Sequence, residues 1–325
     1  MSKNPEDEIL KVACVIVTYN DSDNIGRLLG TLFSQSKQSE EIIVVDNASS
    51  DATLEIVKQK FPQVTLVANA CNMGVGGGYA QGLEYAYQKG YEWIWLLDGD
   101  SLPQASALEE LAKAFTILRP THPKIGILAS CPVNPLTNER YDGVLWRGRF
   151  VMLPNELARS REPFPVDSTV SSGCLVSRRV VEDVGLPRAD FFMDFVDHEY
   201  NLRTRRGGYE IMFVPASIIY HELGEPRVIK SRIIRAIARF ATKSPLGVWA
   251  PWRQYYMVRN QVYTFWHEFR NYKALFFFTL LLMRMLIGML LFNYKDKVKR
   301  VRYIILGLKD GFRGRLGKTV APNQS

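Results

Sequence analysis

Two acidic side chains close an apolar run at Trp93-Ile94-Trp95-Leu96-Leu97-Asp98-Gly99-Asp100-Ser101. Carboxylates at this spacing suit a hard divalent cation, Mn²⁺ or Mg²⁺, which prefers oxygen ligands and keeps substrate phosphates in its shell. Gly99 lets the chain turn sharply and lets a bulky anion approach the backbone. An isolated Asp-x-Asp is more often a solvated turn, so its surroundings decide. A second group, Asp194, Asp197 and Glu199, falls within Phe191–Arg203. A carboxylate at the start of a helix can take the proton from an attacking hydroxyl. It can equally cap the helix, and Glu199 with Arg203 forms an i, i+4 pair of structural type. His221 follows a β-branched run; a lone histidine is usually structural.

The apolar run ending at Asp98 is the fourth of a series. Val12–Val17 runs into Thr18, Glu41–Val45 into Asp46, and Val64–Ala68 into Asn69. Helical patterns follow each: from Asp23-Asn24-Ile25 to about Gln35, after Ser50 or Asp51 as N-cap, over Tyr79–Lys89, and over Ala105–Leu118. This alternation predicts an α/β fold of right-handed βαβ units around a mainly parallel sheet. The strand ends then share one edge, so Thr18, Asp46, Asn69 and Asp98 line one cleft. There Asp46 would accept from a ribose hydroxyl or a base N–H; each of these residues could also serve only its turn. Asn72–Tyr79 reads as a glycine-rich loop shaped for close approach of substrate. It misses the dinucleotide fingerprint because Tyr79 stands where glycine or alanine is needed. Ile125–Ser130 is a further strand, and residues 131–166 read as an irregular segment, either a mobile wall of the site or a surface loop. Val170–Ser177 is a strand beneath the site, with Gly173 allowing close approach of a ligand or close packing. Tyr209–Val214 and Ala216–Tyr220 are short strands flanking Pro215.

Four ordered motifs, Val17-Thr18-Tyr19-Asn20, Val44–Asp51, Asn72-Met73-Gly74 and Leu97-Asp98-Gly99-Asp100, resemble the successive signatures of family 2 inverting glycosyltransferases over residues 11–225. The resemblance implies the GT-A (Rossmann-like) fold and a nucleotide-sugar donor, with Thr18, Tyr19 and Asp46 on the nucleoside. It extends the donor site to Asn20, Asn69, Asn72, Gly74, Gly78 and Asp98. It implies Asp98 and Asp100 around Mn²⁺ or Mg²⁺, with His221 as third ligand; imidazole suits Mn²⁺ better. Many relatives carry a third acid where Gly99 stands. Asp197 matches the catalytic base, with Asp194 and Glu199 as rivals and Gly173 on the acceptor side. His221-Glu222-Leu223-Gly224 looks most like rhamnosyltransferases, while the 74–78 run and the carboxylate block resemble galactofuranosyltransferases. The donors implied are therefore dTDP-rhamnose or UDP-galactofuranose.

Charge divides the 325 residues unequally. Residues 1–226 hold 21 Lys+Arg against 30 Asp+Glu, and residues 227–325 hold 20 against 3, for a total of +8. We expect a catalytic domain over 1–226 and a basic, amphipathic helical region over 227–325. Ala274–Phe292 is apolar except for Thr279, Arg284 and Gly288. An arginine at the centre of a bilayer span costs about 2.5–3.5 kcal/mol. Lys273, Arg284 and Lys295 recur on one helical face, so a helix lying in the interface keeps them wet. A span, or a dimer or core helix, is the alternative. The Lys295–Arg302 cluster would hold anionic lipid, and the glycine-rich Gly307–Arg315 is expected to fray. Four scattered cysteines with no C-x-x-C pair fit a reducing cytosol. Met1–Ile9 has no basic-then-apolar leader pattern.

Together these residues predict transfer of one sugar to a lipid-linked or polysaccharide acceptor at the cytoplasmic face of the cell membrane, by a peripheral or monotopic protein with room for a homo-oligomer. An inactive nucleotide-binding scaffold, or a transferase using another hexose, is the alternative. No nucleic-acid motif accompanies the basic tail, so nucleic acid is not an expected partner.

Overall fold

The computed structural model describes residues 11–154, 157, 160–221, 250–291 and 296–320. Two compact units divide the chain. The first is Met1–Trp146, Phe150–Phe192 and Val196–Glu222; the second is Arg147–Arg149, Met193–Phe195 and Leu223–Ser325. The expected boundary at 226 lies outside the described residues.

The first unit is built on one nine-stranded, mixed sheet. Four parallel strands make one half: β1 (Val12–Thr18), β2 (Glu41–Asp46), β3 (Thr65–Ala68) and β4 (Trp93–Asp98). Every residue of β1 is buried, because both faces of a parallel sheet are covered by crossover helices. Helix α1 (Ile25–Phe33) buries Ile25, Leu28, Leu29 and Leu32, an i, i+3, i+4, i+7 stripe. Helices α2 (Thr53–Lys60), α3 (Gly74–Gln88) and α4 (Ala107–Leu118) complete the series. Ala52, rather than Ser50 or Asp51, occupies the N-cap of α2, although Asp51 accepts from the Thr53 N–H at 3.0 Å.

The other half departs from simple alternation. Short β5 (Leu102–Pro103) and long β6 (Ile125–Val133) precede a hairpin of β7 (Val144–Trp146) and β8 (Phe150–Met152), then β9 (Phe164–Val166). Residues 131–166 are thus not simply irregular. β10 (Cys174–Ser177) runs antiparallel between β4 and β6. Helix α5 (Arg178–Val184) and a 3₁₀ turn (Ala189–Phe191) lead to α6 (Val196–Arg206). The expected pair of strands around Pro215 is one strand, β11 (Glu210–Tyr220), whose pairing with β6 shifts between Val214 and Ile218. Met212 and Val214 face the core containing Leu28 and Leu111, and after the shift Ile219 faces that same core while Ile218 packs in the opposite one.

Helix α3 corrects the loop expected at 72–79. Its glycines form the first turns, and its face lies on β1. A Cβ at Gly78 or Gly82 would collide with Val17 or Val15. Four helical residues rise about 6 Å and two strand residues about 6.6 Å, so the two pairs stay in step.

The second unit contains α7 (Pro251–Tyr263), a π turn (Thr264–Glu268), α8 (Tyr272–Leu291) and α9 (Lys297–Arg313). Val258, Val262, Phe278, Leu282 and Ile304 form its core. The segment expected to fray belongs instead to α9. Gly307 and Gly311 lie against the backbone of α7, where a Cβ would press on the Tyr255 and Arg259 carbonyls, and buried Asp310 accepts from the Tyr255 hydroxyl at 2.7 Å. No helix of the described residues is long and apolar enough to cross a membrane.

Candidate active site

The C-terminal ends of β1, β2 and β4 deliver the acidic and aromatic side chains to one edge of the sheet. The loops after β1 and β2 brace one another. Asn20 N–H donates to Ser49 Oγ at 2.8 Å, Ser50 N–H to Asn20 Oδ1 at 2.8 Å, and Asp21 N–H to Thr53 Oγ1 at 2.9 Å. Asn20 and Ala48 take positive φ of 55° and 60° in these loops. Thr18 is buried and donates to Asp21 Oδ2 at 2.8 Å. Tyr19 is 46% exposed and offers an aromatic ring beside this edge.

Several expected donor residues have partners within the protein. Asp46 is fully buried, and its two oxygens accept from the Ser49 N–H and hydroxyl at 2.9 and 2.5 Å, so it braces the loop. Asn69 donates to Asn47 Oδ1 at 3.2 Å, and Asn72 accepts from the N–H of Gly74, the first residue of α3, at 2.8 Å. Gly74 and Gly78 are buried packing positions. Gly173, at φ 88°, is buried against Ser130 and Ile219.

Asp98, Asp100 and His221 converge. One ligand atom from each lies within 4.8 Å of the others. His221 Nδ1 stands 3.2 Å from Asp100 Oδ1 and 3.1 Å from Ser101 Oγ. Beneath them Ser101 Oγ meets Ser172 Oγ at 2.7 Å, and Ser172 Oγ accepts from the Asp98 N–H at 3.1 Å. The Tyr79 hydroxyl donates to Asp98 Oδ1 at 2.7 Å. Burial pushes the Asp98 carboxyl up to about 6; His221 pulls it down, while Asp100 and Asp197 push it further up. Two carboxylates and an imidazole, held this close with one carboxyl destabilised as an anion, fit a divalent cation.

Asp21 lies over Gly99: a Cβ on Gly99 would collide with the Asp21 carboxylate. Burial raises the pKa of Asp21, and neighbouring Asp100 raises it further. Asp21 therefore crowds the place where a third acid's side chain would begin.

Asp197 sits in the first turn of α6, partly exposed, with Oδ1 accepting from the His198 N–H at 2.8 Å. Its charge is felt at Asp98, Tyr141 and Cys174. Its rivals are engaged. Glu199 is fully buried and paired in fork geometry with Arg203 at 2.6 and 3.0 Å. Asp194 is paired in the same way with Arg253 at 2.7 and 3.2 Å.

Sequence reasoning passed over Tyr79, Asp21, Ser101 and Ser172. A tyrosine at helical spacing reads as core, and Tyr79 is indeed buried. Ser101, adjacent to the acidic pair, carried the one available signal.

Residues 13–185 match the model of the family described as "Glycosyl transferase family 2". Two similar proteins are the dTDP-rhamnosyl transferase RfbF of Shigella flexneri and the galactofuranosyltransferase GlfT1 of Mycobacterium tuberculosis. The first is 27% identical over 94% of this chain and 97% of its own length. The second is 26% identical over 61% of this chain and 65% of its own length. A crystal structure of GalNAc-T7 with UDP, GalNAc and Mn²⁺ superposes with a TM-score of 0.57 at 17% identity, over 94% of this chain and 56% of that one. Its likeness is one of fold.

Proposed function

The chain belongs to glycosyl transferase family 2, and from that premise we propose an inverting, metal-dependent transfer of one sugar from a nucleotide donor to a glycan hydroxyl. The protein is a glycosyltransferase of GT-A fold. The observation that carries the finer reading is the convergence of Asp98, Asp100 and His221 within electrostatic reach of Asp197.

Asp98, Asp100 and His221 would hold Mn²⁺ or Mg²⁺. When bound, that cation supplies Lewis-acid neutralisation of the departing diphosphate. Tyr79 and Ser172 hold Asp98 in place. Tyr19 offers a stacking surface for the nucleoside base, and the braced 18–22 and 46–53 loops shape the nucleoside end. Asp197 accepts the proton of the acceptor hydroxyl as its oxygen bonds to the anomeric carbon. The bond from that carbon to the diphosphate oxygen breaks on the opposite side, so one displacement inverts the centre.

Similarity to a rhamnosyl and a galactofuranosyl transferase supports dTDP-rhamnose or UDP-galactofuranose as donor. An exposed face of the second unit supports a lipid-linked or polysaccharide acceptor at the cytoplasmic membrane face. On α8, Phe276, Leu280, Met283 and Ile287 are exposed at i, i+4, i+7 and i+11, with Lys273 and Arg284 also exposed. An apolar stripe flanked by cations suits a helix lying in an anionic interface.

The test is binding and turnover of a nucleotide-sugar panel with and without Mn²⁺, on wild type and Asp197→Asn. We expect Mn²⁺-dependent selection of one of the two donors and loss of transfer with donor binding retained in the variant. Full activity of Asp197→Asn removes it as base; metal-independent turnover removes the cation.

A further inference from the structure

The segment entering α6 has an unusual backbone. Eight non-glycine residues have positive φ among the described residues, and three of them are Phe192, Asp194 and Phe195, at 66°, 55° and 66°. Phe192 combines its φ with ψ of −63°, the conformation of a rare, strained turn. Bulky L-residues avoid this region, so a turn with three such residues in four persists only where its surroundings over-determine it.

The surroundings can be named. The Asn260 side-chain amide donates to the carbonyls of both Met193 and Asp194 at 2.8 Å. Arg253, two helical turns earlier on α7, makes its fork with the Asp194 carboxylate. Phe195 packs edge-on against Phe265 at 5.8 Å. Asn260 is fully buried, and its own oxygen accepts from Arg259 Nε at 2.9 Å. Arg259 in turn donates to the Gly317 carbonyl at 2.6 Å and lies over the Tyr255 and Tyr256 rings. The amide orientation of Asn260 is thereby fixed with both N–H groups toward the turn. Asp197 follows Phe195 by two residues, so the direction in which this turn releases the chain sets where the Asp197 carboxylate begins.

We propose that Asn260 and Arg253 are positioning residues for Asp197: they hold the left-handed Phe192–Phe195 turn and so aim the carboxylate that accepts the acceptor's proton. The proposal rests on the reading of Asp197 as base. Neither residue touches the reacting atoms.

The experiment uses the full chain, with dTDP-rhamnose and UDP-galactofuranose plus Mn²⁺ as probes. Asn260→Ala, Arg253→Met, Arg253→Lys, Asp197→Asn and the double variant Asn260→Ala/Asp197→Asn are compared. A misplacement of about 1 Å costs on the order of a hundredfold in rate. We therefore expect Asn260→Ala to lower kcat about a hundredfold, with donor affinity within about twofold of wild type. Arg253→Lys should recover part of what Arg253→Met loses. The double variant should be no slower than Asp197→Asn, because residues that act through one another are not additive. Hydrogen exchange should rise over 192–198 in Asn260→Ala and stay unchanged in β1 and β4. Unchanged kcat, a parallel fall in donor affinity, or unaltered exchange over 192–198 overturns the proposal. Failure of the underlying reading is separately visible as an active Asp197→Asn. Should Asn260→Ala not fold, the Arg253 pair and the exchange measurement carry the same decision.

Discussion

The Tyr79 hydroxyl, on a helix whose first turns are glycines, donates to Asp98 Oδ1 at 2.7 Å from a fully enclosed position. It thereby orients the carboxylate at the end of β4 without facing the cleft itself. Replacement by phenylalanine keeps the packing and removes this one donor. Partners that orient a ligand are commonly worth ten- to a hundredfold in metal affinity. Tyr79→Phe should weaken Mn²⁺ binding about tenfold by calorimetry, with little change in thermal stability. Unchanged affinity would assign Tyr79 to packing alone.

Mn²⁺ affinity should depend on pH through Asp98. Its carboxyl, pushed up to about 6 by burial, must lose its proton to take a cation. Affinity should hold between pH 7 and 8 and fall by about tenfold per unit below 6. The metal-free protein responds in the opposite sense. A carboxyl raised on folding binds its proton more tightly in the native state, so through this group stability rises as pH falls from above 6 toward the ordinary carboxylate value. The increment in melting temperature given by Mn²⁺ should therefore shrink from pH 7 to pH 5. An increment constant over that range would remove Asp98 from the cation.

Gly99 is held small by Asp21, which is itself tied to the Thr18 hydroxyl and the Tyr19 N–H. Gly99→Ala should destabilise by about 1–3 kcal/mol, the usual cost of overpacking. Asp21→Ala in the same chain should recover part of this loss in urea unfolding, because it clears the colliding atoms. Additive losses in the double variant would show that the clash lies elsewhere.

Glu199 and Arg203 should behave as a structural pair. Arg203 also donates to the Val184 and Leu186 carbonyls at 2.7 and 2.9 Å, tying α6 to the end of α5. Glu199→Gln leaves the arginine without its counter-charge and should cost about 3 kcal/mol in unfolding free energy. Turnover per folded molecule should change by less than about threefold. A loss as large as that of Asp197→Asn, in folded protein, would return Glu199 to the chemistry.

Much of the first unit was legible because its first four strands are short, mostly apolar and terminated by polar residues. Val12–Thr18 and Trp93–Asp98 could hardly be anything else, and the acidic pair follows from where the apolar run stops. The glycines of α3 were not legible as helix, since glycine costs about 1 kcal/mol there in intrinsic propensity. Only the contact of Gly78 and Gly82 with Val17 and Val15 makes the absence of a side chain favourable. The same logic hid Gly307 and Gly311, whose role depends on α7 lying against them. Asp46 is legible as the polar end of a strand; that Ser49, three residues on, donates to both its oxygens is not. Local sequence shows which residues can do chemistry, while their packing partners decide how each is held.

The shift in β11 has a consequence for how this protein tolerates change in length. Val214 pairs with Ser130 and Ile218 with Cys131, so three residues of β11 are passed over while β6 advances by one step. An odd insertion reverses which face each later side chain meets. That reversal sends His221 toward Asp100 and Tyr220 toward Gln104, whose amide donates to its hydroxyl at 2.8 Å. The third member of the acidic cluster is thus selected by a parity, set four to six positions upstream. Loss of a single residue from Pro215–Ser217 would turn His221 to the opposite face of the strand, away from Asp100, with every residue of the cluster still encoded.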